Sequence, residues 1–86
     1  MNFEINYDKQ PLEFLKGIDK HLAKRILDKI DKMLVNNPVP HNAKTIVGEH
    51  GVFRIRMGGY RALYRVNYQE KRVVVVKLDK RSRIYQ

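Results

Sequence analysis

Four arginines, Arg54, Arg56, Arg61 and Arg65, fall within the short stretch GVFRIRMGGYRALYRV. A guanidinium group stays charged at any physiological pH and presents forked donors that match phosphate oxygens. A cluster of them is therefore suited to gripping a polyanion and to steadying negative charge that develops on phosphorus. Their spacing decides whether they can act together. The pair Gly58-Gly59 is suited to a two-residue hairpin turn with positive φ at both positions. That turn would pair Met57 with Tyr60, Arg56 with Arg61, Arg54 with Leu63 and Val52 with Arg65. Paired residues share a face of the sheet. One face then carries Phe53, Ile55, Met57, Tyr60, Ala62, Tyr64 and Val66, and the other gathers all four arginines.

Like charges opposite one another weaken a sheet, by a few tenths to about 1 kcal/mol per pair. A solvated structural face that uses arginine for its aliphatic stem would be expected to intersperse Glu or Thr. No acid interleaves the four in the hairpin, and the acids of the second half, Glu49, Glu70 and Asp79, read as scattered. A phosphate-binding face is the better reading. The end of the chain, DKRSRIYQ, adds Lys80, Arg81, Arg83 and Tyr85. An aromatic ring among arginines suits single-stranded RNA, with the ring stacking on a splayed base while guanidiniums hold phosphates. The same residues also read as ordinary basic end residues, and the tail alone does not choose.

The charge of the whole chain agrees. Eighteen Lys and Arg against nine Asp and Glu give a formal net charge of +9. Residues 1–43 contribute +1 of it and residues 44–86 contribute +8, with seven of the eight arginines in the second half. Such an excess points to a polyanionic partner. The absence of cysteine removes thiolate chemistry and disulfide staples. The three histidines, His21, His41 and His50, match no metal-ligand spacing, no glycine pattern resembles a P-loop, and the acids do not form a two-metal carboxylate site. No metal or other cofactor is expected. No run approaches the roughly 18 apolar residues of a membrane span, and the N-terminus lacks a secretory pattern, so a cytoplasmic protein is expected.

The elements that would position the arginines can be read from periodicity. At 86 residues the chain is expected to form one domain, residues 1–86, with one modest core. Phe3 to Tyr7 alternates as a short strand. Asp8 can cap a short helix through Leu12, Phe14 and Leu15 that stops near Gly17. Asp19 starts a second helix, whose apolar stripe is Leu22, Ile26, Ile30, Met33 and Leu34 and which ends at NNPVP. So short a connection predicts an antiparallel helical hairpin. Thr45 to Val47 reads as an edge piece. Val52 to Met57, Tyr60 to Asn67 and Arg72 to Leu78 read as three successive strands. The expected class is α+β, an N-terminal strand and helical hairpin packed on an antiparallel meander.

This order, together with FRIRM, GYRALYRV, a valine-rich strand and the closing KRSRIY, resembles the RelE family of bacterial and archaeal toxin-antitoxin systems. The resemblance runs over nearly the whole chain and is strongest from Phe53 to Tyr85. It implies a RelE-like fold and a small mRNA interferase that enters the ribosomal A site and cuts the bound mRNA without a metal. It also implies a RelB-like antitoxin that wraps around the toxin and holds it inactive. In the reaction it implies, the 2′-hydroxyl beside the scissile bond attacks phosphorus, leaving a 2′,3′-cyclic phosphate and a free 5′-hydroxyl. By the same resemblance Arg54 and Arg56 match the basic pair of the first hairpin strand, Arg61 the arginine of GYR, Arg81 the tail arginine and Tyr85 the closing tyrosine. Arg54 is expected to position the mRNA phosphate, Arg61 to meet the developing charge, Arg81 to contact phosphate or assist as acid, and Tyr85 to stack on a base. Arg65, Lys77, Lys80 and Arg83 are expected to add RNA contacts.

One departure bears on mechanism. Well-known family members carry lysines where this chain has Arg54 and Arg56, and a guanidinium is a poor proton acceptor. The acceptor is left open among Lys80, Tyr85 as phenolate, and Arg56 acting only electrostatically. Two other readings stand beside the nuclease. ParE-like toxins share the scaffold but inhibit DNA gyrase, and a non-catalytic nucleic-acid-binding module would use the same charge.

Overall fold

The structure, a computed structural model, describes residues 2–40, 43–45 and 51–80. Its elements run β1 (Glu4–Tyr7), α1 (Lys9–Lys16), α2 (Lys20–Leu34), β2 (Lys44–Thr45), β3 (Val52–Met57), β4 (Tyr60–Asn67) and β5 (Arg72–Lys80). The sheet order is β1-β5-β4-β3-β2. The class is α+β as expected, two helices packed on one five-stranded sheet. Neither helix is long and apolar enough to cross a membrane.

Each helix is bounded by local chemistry. Asp19 caps α2, its carboxylate accepting from the His21 N–H at 3.0 Å and the Leu22 N–H at 3.3 Å. Asp8 occupies the N-cap position of α1, but its side chain makes no capping bond. Its backbone N–H donates instead to the Val75 carbonyl at 2.9 Å and so prolongs the strand pairing of β1. Gly17 ends α1, its N–H donating to the carbonyls of Glu13 and Phe14.

The apolar stripes meet on one side of the sheet. Leu15 of α1 and Ile26, Ile30 and Leu34 of α2 pack with Ile55, Ala62, Tyr64, Val73, Val75 and Leu78 of the strands. Tyr64 is fully buried, and its hydroxyl donates to the Pro38 carbonyl at 2.7 Å, tying the centre of the sheet to the segment after α2. The Phe3 N–H donates to Val35 O at 2.7 Å and ties the start of the chain to the same place.

β3, β4 and β5 form the expected meander. The first strand departs from a wholly antiparallel sheet, because β1 pairs parallel with β5, Glu4 opposite Arg72 through Tyr7 opposite Val75. The two helices intervene between β1 and the rest of the sheet, which is the long connection that parallel pairing requires. β2 covers Lys44–Thr45, and the remainder of the expected edge piece, Ile46 and Val47, lies outside the described residues.

Candidate functional site

The hairpin register is the one read from the double glycine: Met57 opposite Tyr60, Arg56 opposite Arg61, Arg54 opposite Leu63 and Val52 opposite Arg65. The turn itself differs. Gly58 alone has positive φ, +62°, which is the pattern of a type II′ turn and not of the type I′ turn expected. Both leave two residues between the strands, so the register survives the change.

The alternation then separates the two faces as predicted. Ile55, Met57, Ala62 and Tyr64 are buried against the helices. Arg54, Arg56, Arg61 and Arg65 occupy the other face; Arg56 and Arg65 are exposed, while Arg54 and Arg61 are half-buried and engaged in contacts. The Nε of Arg61 is withdrawn from solvent.

The outer strands extend this face in ladders. Arg56, Arg61 and Asp79 line up across β3, β4 and β5, and the next row is Lys44, Arg54, Leu63 and Lys77. A third row holds Val52, Arg65, Val74 and Asn6, and a fourth holds Asn67, Arg72 and Glu4. Leu63 and Val74 are half-buried and give the cationic rows an apolar floor. A surface of guanidinium and ammonium groups around aliphatic ground can hold phosphates while accepting ribose and base contacts.

A β-bulge decides what β5 contributes. Leu63 faces Lys77, yet Tyr64 faces Val75, so Val76 is an extra residue in β5. Strict alternation from Val75 would send Lys77 toward the helices and Leu78 outward. The extra residue reverses both, and Leu78 is fully buried while Lys77 joins the arginine face. Beyond the end of β1, the side-chain amide of Gln10 in α1 serves as a substitute strand. Its Nε2 donates to Leu78 O at 2.9 Å, and its Oε1 accepts from Leu78 N at 2.8 Å.

The expected site residues are therefore partly assembled. Arg54, Arg56, Arg61, Arg65 and Lys77 share one face. Lys80 does not join them: it faces Tyr60 on the opposite side of the sheet. This is the consequence of the bulge, which fixes the parity of everything after it. Arg81, Arg83 and Tyr85 lie outside the described residues. Asp79 corrects the expectation of scattered acids, because it stands directly opposite Arg61, across from a cluster that looked free of carboxylates. Sequence reasoning also missed Lys44, which reaches the face only through the pairing of β2 with β3.

A second cationic feature lies on the helix side. A groove between α2 and the β3–β4 turn is bordered by Leu22, Arg25, Lys29, Met57 and Tyr60. Its two charges are carried on an exposed helix face rather than in opposed strand positions, so it lacks the convergent set that the sheet presents.

Comparisons with known proteins agree with this architecture. A family model described as the ParE toxin of type II toxin-antitoxin systems, parDE, matches residues 5–85. The candidate toxin RelE1 of Methanocaldococcus jannaschii is 27% identical over 88 residues, spanning 99% of this chain and 97% of that protein. A chain of the archaeal RelE-RelB complex of Pyrococcus horikoshii is 30% identical, with 96% of this chain and 99% of that chain covered and a TM-score of 0.77. A chain of the RelBE2 toxin-antitoxin complex of Mycobacterium tuberculosis superposes with a TM-score of 0.82 over 94% of this chain and 100% of that one; at 22% identity it shows a shared fold.

Proposed function

We propose, since the chain belongs to the ParE toxin family of type II toxin-antitoxin systems and is thus a toxin of RelE/ParE type, that its arginine face cuts mRNA in the ribosomal A site. The observation that carries this reading is the opposed pair Arg56–Arg61 with Arg54 and Arg65 beside it, all on the sheet face turned away from the helices. Such an arrangement weakens the sheet and is accounted for by a bound polyanion.

In this reading the 2′-oxygen attacks the adjacent phosphorus, a new O2′–P bond forms as the P–O5′ bond breaks, and the products are a 2′,3′-cyclic phosphate and a 5′-hydroxyl. Arg54 holds the scissile phosphate in register. Arg61, half-buried and therefore in a lower dielectric than its exposed neighbours, steadies the charge that grows on the non-bridging oxygens. Arg56, Arg65 and Lys77 grip the flanking backbone. Arg81 acts on phosphate and Tyr85 stacks on a base, with Arg83 as an outlying contact, while Lys80, on the opposite side of the sheet, takes no part. The ribosome supplies the in-line geometry, which is worth several kcal/mol when prepaid by binding. The chemistry runs on protein groups without a metal, and the place of action is the cytoplasm, where mRNA is translated.

The antitoxin in this reading is RelB-like, with an acidic segment on the arginine face, so association is fast and salt-sensitive. A second reading, inhibition of DNA gyrase, is favoured by the name of the matching family model. Primer extension on mRNA in a purified translation system, alongside a gyrase supercoiling assay, separates them. Discrete cuts at A-site codons that need ribosomes, with supercoiling intact, are expected. Loss of supercoiling without mRNA cuts would transfer the assignment to gyrase.

A further inference from the structure

The proposed reaction lacks a proton acceptor among its arginines, since guanidinium groups do not give up their protons in proteins. The register supplies one that the sequence pattern concealed. Asp79 lies directly opposite Arg61 in the same ladder as Arg56. Opposed strand positions place side chains roughly 4.5–5.5 Å apart at Cβ. A phosphate on Arg61 therefore brings the ribose of the same linkage, and its 2′-hydroxyl, to the carboxylate beside it. Among the described residues on this face the other acid is Glu4, three ladders away opposite Arg72.

Three features hold Asp79 there. The bulge at Val76 sets its parity; without the extra residue it would point toward the helices. The preceding residue, Leu78, is fully buried and has both backbone groups clamped by Gln10. The carboxylate is half-buried and oriented by the N–H of Lys80, which donates to its Oδ1 at 2.7 Å. A bulge, a side-chain clamp and a short backbone bond converging on one carboxylate are what a preorganised catalytic group needs.

We infer that Asp79 is the general base of the reaction, an inference that rests on the nuclease reading. Its carboxylate takes the proton of the 2′-hydroxyl as the O2′–P bond forms. The departing 5′-oxygen takes a proton from solvent as the P–O5′ bond breaks, and Asp79 returns its proton to solvent afterwards. No electron changes hands and no further reactant is needed. Arg61 then binds the phosphate directly opposite the carboxylate that accepts the proton.

The test is single-turnover cleavage of A-site mRNA on programmed ribosomes by the full-length wild type, Asp79→Asn and Asp79→Glu, with ribosome affinity and thermal unfolding measured on each. Asp79→Asn keeps the shape and removes the basicity. It should cut at least about 100-fold more slowly, while binding ribosomes as tightly or tighter, because the face gains one net positive charge. Asp79→Glu should recover to within roughly tenfold of wild type, the basic group being restored. Cleavage by Asp79→Asn within about threefold of wild type would overturn the assignment and leave the nuclease reading standing. So would a slow Asp79→Asn whose ribosome affinity falls in proportion and which Asp79→Glu does not rescue, since that marks a structural position. A folded wild type that cuts nothing would overturn the nuclease reading and this inference together.

Discussion

Replacing Arg56 with threonine should make the protein more stable. Arg56 and Arg61 are directly opposed across β3 and β4, the first exposed and the second half-buried. Two unit charges about 8 Å apart repel by about 0.5 kcal/mol in bulk water and about 2 kcal/mol at an effective dielectric of 20. At physiological ionic strength the Debye length is about 8 Å, which reduces the solvent-exposed part to roughly a third. Asp79 stays opposite Arg61 on the other side, so the substitution removes the like-charged neighbour alone. Threonine is also favoured in strands. The expected gain is about 0.3–1 kcal/mol, which for a chain of this size raises Tm by about 1–8 °C. Urea denaturation at low salt and again at 1 M NaCl measures it, with Arg56→Lys as the variant that retains the charge. The gain should shrink at high salt, and Arg56→Lys should show little of it. A threonine variant no more stable than wild type at low salt, or a gain that Arg56→Lys shares and salt does not touch, would refute the view that this face sacrifices stability for binding.

Other expectations follow from the packing. Tyr64→Phe strands the Pro38 carbonyl that the buried hydroxyl now satisfies, and should lower stability by about 1–2 kcal/mol in chemical denaturation. Gln10→Ala removes both bonds to Leu78 and should cost a similar amount, roughly 1–2 kcal/mol, with faster amide exchange at Leu78 than elsewhere in β5. Alkaline titration should also reveal the core. Burial, with a smaller effect of the Asp31 charge, pushes the Tyr7 hydroxyl up from 10.0 to about 12. Burial, helped by Tyr68, raises Tyr64 as well. The folded state therefore holds these protons more tightly than the unfolded chain. Their contribution is complete below pH 10 and is lost as pH climbs toward 12, so unfolding monitored with tyrosinate absorbance should set in within that window.

Much of the fold was legible because it is encoded locally. Gly58-Gly59 set the hairpin register, alternation set the two faces, and the 3.6-residue stripe from Leu22 to Leu34 marked α2. What escaped is non-local. The parallel pairing of β1 with β5 joins residues nearly seventy positions apart and leaves no mark in either segment. The bulge escaped because VVVVKLDK offers valine on both faces, and a run of one residue type hides its own phase. That single extra residue decides which of Lys77, Leu78, Asp79 and Lys80 faces the arginines. It brought Lys77 and Asp79 to the site and turned Lys80 away from it. Nothing local marks Gln10 either, because the backbone groups it clamps belong to Leu78, 68 positions away.

The central claim is that the arginine face of the sheet is the catalytic surface, and one comparison tests it most directly. Single-turnover cleavage of A-site mRNA on programmed ribosomes would be measured for wild type, Arg61→Ala, and Lys24→Ala on the exposed face of α2. Arg61→Ala should lose about 100-fold or more, the scale seen when one group that stabilises developing charge is removed. Lys24→Ala should cut like wild type. Cleavage by Arg61→Ala within about threefold of wild type, from protein that remains folded, would contradict the account.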